Sequence, residues 1–150
     1  MHSLPKFYII MKTLNNFNFN QKKAIIRVDF NVPLDENFNV TDTTRIEACI
    51  ETVDKVIKLG GSCILLSHLG RPKGKDDKLS LKHIVDTVSL ILKRPVAFHK
   101  DCIGSEAELA TSLLKPGQIM LMENVRFYEE ETTGDTGFAQ SLSKLGDIYI

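Results

Sequence analysis

The sequence predicts a three-layer α/β/α fold, a doubly wound parallel sheet with helices on both faces. Three observations predict it. Apolar, β-branched runs of strand length alternate with stretches whose apolar residues recur at helical spacing. The run at 62–68 (SCILLSH) is apolar on both faces, the mark of a strand inside a parallel sheet. Turn-forming residues, Gly60 with Gly61, Pro95, and Pro116 with Gly117, fall between these stretches where the chain must reverse.

Taken in order, residues 23–30 (KAIIRVDF) are expected to form the first strand, followed by a turn-rich stretch over 31–43. Residues 45–59 carry Ile46, Cys49, Ile50, Val53, Val56 and Ile57 as an apolar helical stripe, with Thr43 or Thr44 as N-cap and the glycine pair as stop. The second strand is 62–68. A charged loop, 70–78, leads to a helix near 81–93, which Pro95 ends, and a short third strand begins at 96–98. Residues 105–114 form the third helix, with Ser105 as cap and Glu108 at capping-box spacing. A fourth strand at 118–123, a helix near 138–145 and a last strand from Ile148 complete the order β-α-β-α-β-α-β-α-β. Right-handed crossovers make that order a Rossmann-like sheet.

A length of 150 residues suits one ordinary domain, and 43% hydrophobic with 25% charged residues excludes a disordered tail or a collagen-like fibre. Nineteen basic residues cancel nineteen acidic ones, so the electrostatic footprint of a general nucleic-acid binder is missing. No apolar run approaches the roughly 18 residues of a membrane span. The cysteines Cys49, Cys63 and Cys102 are odd in number and widely spaced, which suits free thiols in a reducing cytoplasm. His2, His83 and His99 lack metal-ligand spacing, so no metal site is expected. Residues 1–10 (MHSLPKFYII) read as an extension or upstream start ahead of Met11, and 11–150 as one domain. Ile148, Tyr149 and Ile150 read as a strand stopped in mid-course, so the sheet is expected to be incomplete at its C-terminal side.

Ligands of doubly wound sheets bind beyond the carboxyl ends of the strands. The first strand is expected to release Asp29 and Asn31 there, the second Ser67, His68 and Arg71, and the fourth Glu123, Asn124 and Arg126, with Arg45 opening the first helix nearby. Three guanidinium groups and an imidazole on one rim imply an anionic ligand, and Asp29 and Asn31 suit a hydroxyl on it. A small phosphorylated hydroxy acid or sugar meets those requirements. Any one of these residues alone is better explained as a solvated charge or a turn cap; their convergence carries the functional reading. Asp29 and Glu123 are the only carboxylates expected beside the arginines, which gives little support to base-catalysed isomerisation. Neither a Gly-x-x-x-x-Gly-Lys-Ser/Thr loop nor a Gly-x-Gly-x-x-Gly turn is present as a nucleotide cradle.

The segment RVDFNVP at 27–33 resembles the opening signature of the phosphoglycerate kinase family, as do Thr44, Arg45 and Ile46, SHLGRP at 67–72 and ENVRF at 123–127, in that order and from about Met11 to Ile150. The resemblance implies a two-lobed enzyme whose first lobe binds 3-phosphoglycerate or 1,3-bisphosphoglycerate and whose second lobe binds Mg-ATP or Mg-ADP. By that resemblance this chain is most of the first lobe, with the C-terminal nucleotide-binding domain and a further phosphate-binding arginine absent, and is inactive by itself. Carried over by position, Asp29, Phe30 and Asn31 would hold the hydroxyl and carboxyl end of the glycerate. His68, Arg71 and Arg126 would grip its phosphate, with Leu69 and Gly70 shaping the backbone approach. Arg45 would be the catalytic residue, stabilising charge on the phosphoryl group in transit, as well as a substrate contact. The family also implies a cytoplasmic monomer acting in glycolysis. The alternative is a free-standing phosphometabolite-binding module without catalysis.

Overall fold

The computed structural model describes residues 12–150. The expected extension, 1–10, lies outside them. Five parallel strands, β1 (Lys23–Arg27), β2 (Ser62–Leu66), β3 (Val96–His99), β4 (Ile119–Met122) and β5 (Ile148–Tyr149), form one sheet in the order β3-β4-β2-β1-β5. The helices that follow β1 and β2 pack on one face and those that follow β3 and β4 on the other, so the topology switches between β2 and β4, the kind of place where such sheets keep their ligands.

Alternation along the strands divides the core in two. Ala24 and Ile26 of β1, Cys63 and Leu65 of β2, and Ile119 and Leu121 of β4 face one layer. That layer is built from α1 (Thr44–Glu47), α2 (Ile50–Lys58) and α3 (Val85–Leu92), through Ile46, Val53, Val56 and Val88. Ile25, Ile64, Leu66 and Met122 face the other layer, where α4 (Ser105–Ser112) and α6 (Thr136–Ser143) contribute Ala107 and Phe138. The sheet is therefore covered on both faces, as the two-sided apolar run in β2 demands: every residue of that strand is buried.

Several boundaries differ from expectation. β1 stops at Arg27 rather than at residue 30: Val28 still donates to the Leu66 carbonyl at 3.0 Å, but at Asp29 the chain leaves the sheet. β2 and β4 likewise end one or two residues before their polar ends, while β3 runs on to His99. The single helix expected over 45–59 is two pieces offset at Ala48 and Cys49, and the Thr43 hydroxyl donates to Glu47 at 2.6 Å instead of capping a backbone N–H. Gly104, with φ +94°, takes the cap position ahead of α4, which leaves Ser105 as a first-turn residue and the expected capping box unformed. The last helix starts earlier than expected because Asp135 caps it, accepting from the Phe138 N–H at 2.7 Å. A short helix, α5 (Glu130–Thr133), occupies a stretch to which the periodicity assigned no element. The helix near 81–93 opens with a 3₁₀ turn before α3 begins.

Candidate functional site

The loops after β1, β2 and β4 are tied into one rim. After β1, Phe30 buries its ring completely and its N–H donates to the Ser67 hydroxyl at 2.9 Å. Its carbonyl accepts from Val32 at 2.8 Å, so both backbone groups of Phe30 are committed within the fold. Asn31 accepts from the Gly70 N–H at 2.8 Å through Oδ1, joining the first loop to the second and leaving its amide nitrogen outside this tie. Gly70 takes φ +64°, and a Cβ there would come within 2.8 Å of the Leu79 side chain. The left-handed backbone is what favours glycine here, since the methyl tip of Leu79 can move aside.

Leu69 is buried and its carbonyl accepts from Asn124 Nδ2 at 2.8 Å; the same amide group donates to the Leu79 carbonyl at 2.8 Å. Asn124 therefore pins both ends of the loop that carries Arg71. Glu123 completes the clamp, accepting from the Ser80 hydroxyl at 2.6 Å, the Leu81 N–H at 2.9 Å and the Asn124 N–H at 2.7 Å. Both residues are buried. The expectation that Glu123 and Asn124 emerge on the rim is corrected on this point: unpaired backbone donors at the start of the 3₁₀ turn draw the carboxylate inward.

The charged residues fall into two neighbouring groups. Asp29 and Arg45 form an ion pair at 2.5 Å, each about half exposed, beside a shallow hollow that Arg27 and Ile150 also line. Arg71 and Arg126 line a cleft of about 940 Å³ together with Lys73 and Glu129. His68 is half-buried between these groups. Burial, then the charges of Arg126 and Arg27, lower its pKa from the ordinary 6.5, against weaker opposition from Asp29 and Glu131. At neutral pH it is a neutral imidazole beside cations.

Two participants escaped sequence reasoning. Arg27 ends β1 and Glu131 lies on α5; Glu131 accepts from Arg27 at 2.6 Å and from Arg126 at 3.2 Å. An arginine closing an otherwise apolar strand was a signal available for Arg27. Nothing distinguished Glu131 from its acidic neighbours Glu129 and Glu130. The remaining polar candidates are local: His99 contacts the Asp101 backbone at 2.8 Å, and His83 stacks on Phe38 with ring centroids 4.2 Å apart. Among the described residues no three His, Cys, Asp or Glu side chains gather as a metal site, and no helix is long and apolar enough to cross a membrane. All three cysteines are free and buried.

Fold and rim together define a doubly wound α/β domain with a cationic site at its strand ends. The family model for phosphoglycerate kinase matches residues 14–150, and the chain belongs to that family. It is 46% identical over 139 residues to the phosphoglycerate kinase of Bradyrhizobium diazoefficiens, covering 93% of this chain and 35% of that protein. With the phosphoglycerate kinase of Porphyromonas gingivalis it shares 50% identity over 131 residues, 87% of this chain and 31% of the relative. The crystal structure of phosphoglycerate kinase from Pyrococcus horikoshii OT3 matches with a TM-score of 0.82 at 27% identity, covering 93% of this chain and 36% of that one. The structure of the Coxiella burnetii phosphoglycerate kinase gives 0.78 at 31% identity, covering 91% and 33%. The chain thus spans about a third of the length of the curated relatives it matches.

Proposed function

We propose that this chain supplies the glycerate side of the phosphoglycerate kinase reaction, the reversible phosphoryl transfer between 1,3-bisphosphoglycerate and ADP that gives 3-phosphoglycerate and ATP. The observation that carries the reading is the rim: three loops from separate strands, hydrogen-bonded to one another, bring Asp29, Asn31, His68, Arg71 and Arg126 to one end of the sheet, where Arg45 of α1 pairs with Asp29. Asp29 and Asn31 receive the hydroxyl and carboxyl end of the ligand. Arg71 and Arg126, which both line the cleft, take phosphate oxygens, with His68 as a neutral hydrogen-bonding partner. Phe30, Leu69 and Gly70 act by shaping the loops: both backbone groups of Phe30, the Leu69 carbonyl and the Gly70 N–H are engaged in the ties between them.

Phosphoryl transfer requires alignment and stabilisation of charge at the equatorial oxygens more than covalent assistance. Arg45 suits that task, being planar, permanently charged and held only by a half-exposed ion pair that a ligand anion can replace. Mg-ATP and Mg-ADP are substrates of the complete reaction, held by residues outside this chain. The chain alone is inactive as a kinase, because closure of a nucleotide-bearing lobe is needed to bring the substrates in line and exclude water. It acts as a cytoplasmic monomer, a setting consistent with three reduced, buried thiols.

Calorimetric titration of the 150-residue chain with 3-phosphoglycerate, glycerate, inorganic phosphate and glucose 6-phosphate tests the reading. Binding of 3-phosphoglycerate in preference to each of the others is expected, and weakening of it in Arg71→Ala and Arg126→Ala. Equal binding of phosphate or the sugar phosphate overturns the glycerate assignment. ATP production by the chain alone from ADP and 1,3-bisphosphoglycerate overturns the statement that it is inactive.

A further inference from the structure

Arg27 and Arg126 share one carboxylate. Arg27 donates from Nη2 to Oε1 of Glu131 at 2.6 Å, and Arg126 donates from Nε to Oε2 at 3.2 Å. The two arginines come from different strand ends, and all three side chains are partly shielded from solvent: Glu131 is 14% exposed, its partners about twice that. Neighbouring guanidinium groups repel, and the repulsion grows as water is excluded. A carboxylate between them offsets that repulsion and fixes both planes.

How it binds them separates support from competition. A carboxylate standing in for a ligand would take one guanidinium by its fork, through two parallel N–H bonds. Glu131 instead gives one oxygen to one nitrogen of each arginine. Most of the five N–H donors on each guanidinium are left for another anion. Burial pushes the Glu131 carboxyl up, but bonding to Arg27 and then Arg126 outweighs it, and the pKa lies below the ordinary value. The group is therefore ionised throughout the neutral range. Its own backbone is anchored: the Glu131 N–H donates to the Tyr128 carbonyl at 3.2 Å, and the Tyr128 hydroxyl donates to Asp101 at 2.7 Å.

We propose that Glu131 is a positioning residue of the rim, holding Arg27 and Arg126 side by side with their remaining N–H groups free to receive a phosphate. This rests on reading the rim as a phosphoglycerate site. The test uses the 150-residue chain, with Glu131→Gln and Glu131→Asp as variants and 3-phosphoglycerate and inorganic phosphate as probes. Circular dichroism checks the fold, and NMR follows the His68 titration.

Glu131→Gln removes the charge and weakens 3-phosphoglycerate binding by about tenfold, the usual scale for loss of a supporting group. It also lowers the His68 pKa further, because Glu131 is one of the charges that raise it. Glu131→Asp keeps the charge but is one methylene shorter and cannot span both arginines. It restores the His68 titration and leaves binding weak, a separation that a merely structural role would not give. Should Glu131→Gln fail to fold, the aspartate variant decides alone, on whether its affinity falls while its His68 titration stays wild-type. Unchanged or tighter binding in the variants, with normal binding by the wild type, overturns the positioning role and makes Glu131 a bystander or a competitor. If the wild-type chain binds neither probe, the phosphoglycerate reading fails first and takes the proposal with it.

Discussion

Glu123→Ala removes a buried carboxylate that serves three donors at once: the Ser80 hydroxyl, the Leu81 N–H and the Asn124 N–H. Each buried donor left without a partner costs about 1–3 kcal/mol. The three losses do not add in full, because water enters the space vacated by the side chain and can satisfy the Ser80 hydroxyl. The expected destabilisation is about 3–5 kcal/mol, a large part of the roughly 5–15 kcal/mol that holds a domain of this kind. Glu123→Gln separates charge from shape. Its carbonyl oxygen can still accept from both backbone N–H groups, and the Ser80 hydroxyl can turn to accept from the new amide, so the loss falls to about 1–2 kcal/mol. Urea unfolding followed by circular dichroism gives both values from the midpoint at constant slope. A loss of less than about 1 kcal/mol in the alanine variant refutes the clamp. Equal losses in the two variants would mean that ionic charge, not donor matching, holds the loop.

Burial pushes the thiols of Cys63 and Cys102 up to about 12 and that of Cys49 up to about 11, so alkylation at pH 8 should be slow in the folded chain and complete on unfolding; rapid labelling of the native protein would contradict the packing. His68 should titrate below 6.5 in the free chain and move upward when a phosphate ester neutralises its arginine neighbours, as read by NMR; a downward move would place the anion elsewhere. Because its folded pKa is depressed, its contribution to stability is complete above pH 6.5 and is lost as pH falls through the folded value. Arg45→Lys should change stability by less than about 1 kcal/mol, since the pair with Asp29 is half exposed. In an enzyme completed by the nucleotide-bearing lobe it should lower turnover more than glycerate affinity, and unchanged turnover would remove Arg45 from the transfer step.

The parts of this chain that were legible in its sequence are those governed by local periodicity. Two-sided burial of β2 could be read from residues 62–66 because a strand covered by helices on both faces has no polar face to show. The α2 stripe was legible for the same reason, with Val53 and Val56 fully buried where the spacing put them. What could not be read was decided by partners distant in sequence. Glu123 looks like a rim carboxylate because it follows a strand; it turns inward because Ser80 and Leu81, more than forty residues earlier, present donors there. Phe30 looks like the end of a strand by its alternation with Val28. The Ser67 hydroxyl, however, replaces the sheet ladder as the acceptor of its N–H, and that exchange turns Asp29 and Asn31 out toward the site. Glu131 is the limiting case: one of three consecutive glutamates, it is set apart only because β1 delivers Arg27 and the loop after β4 delivers Arg126 to the same side of a helix turn. The rim was thus visible with Asp29 among its cations but without Glu131, the counter-charge shared by Arg27 and Arg126. A cation set inferred from sequence overstates the free positive charge wherever a long-range carboxylate is folded into it.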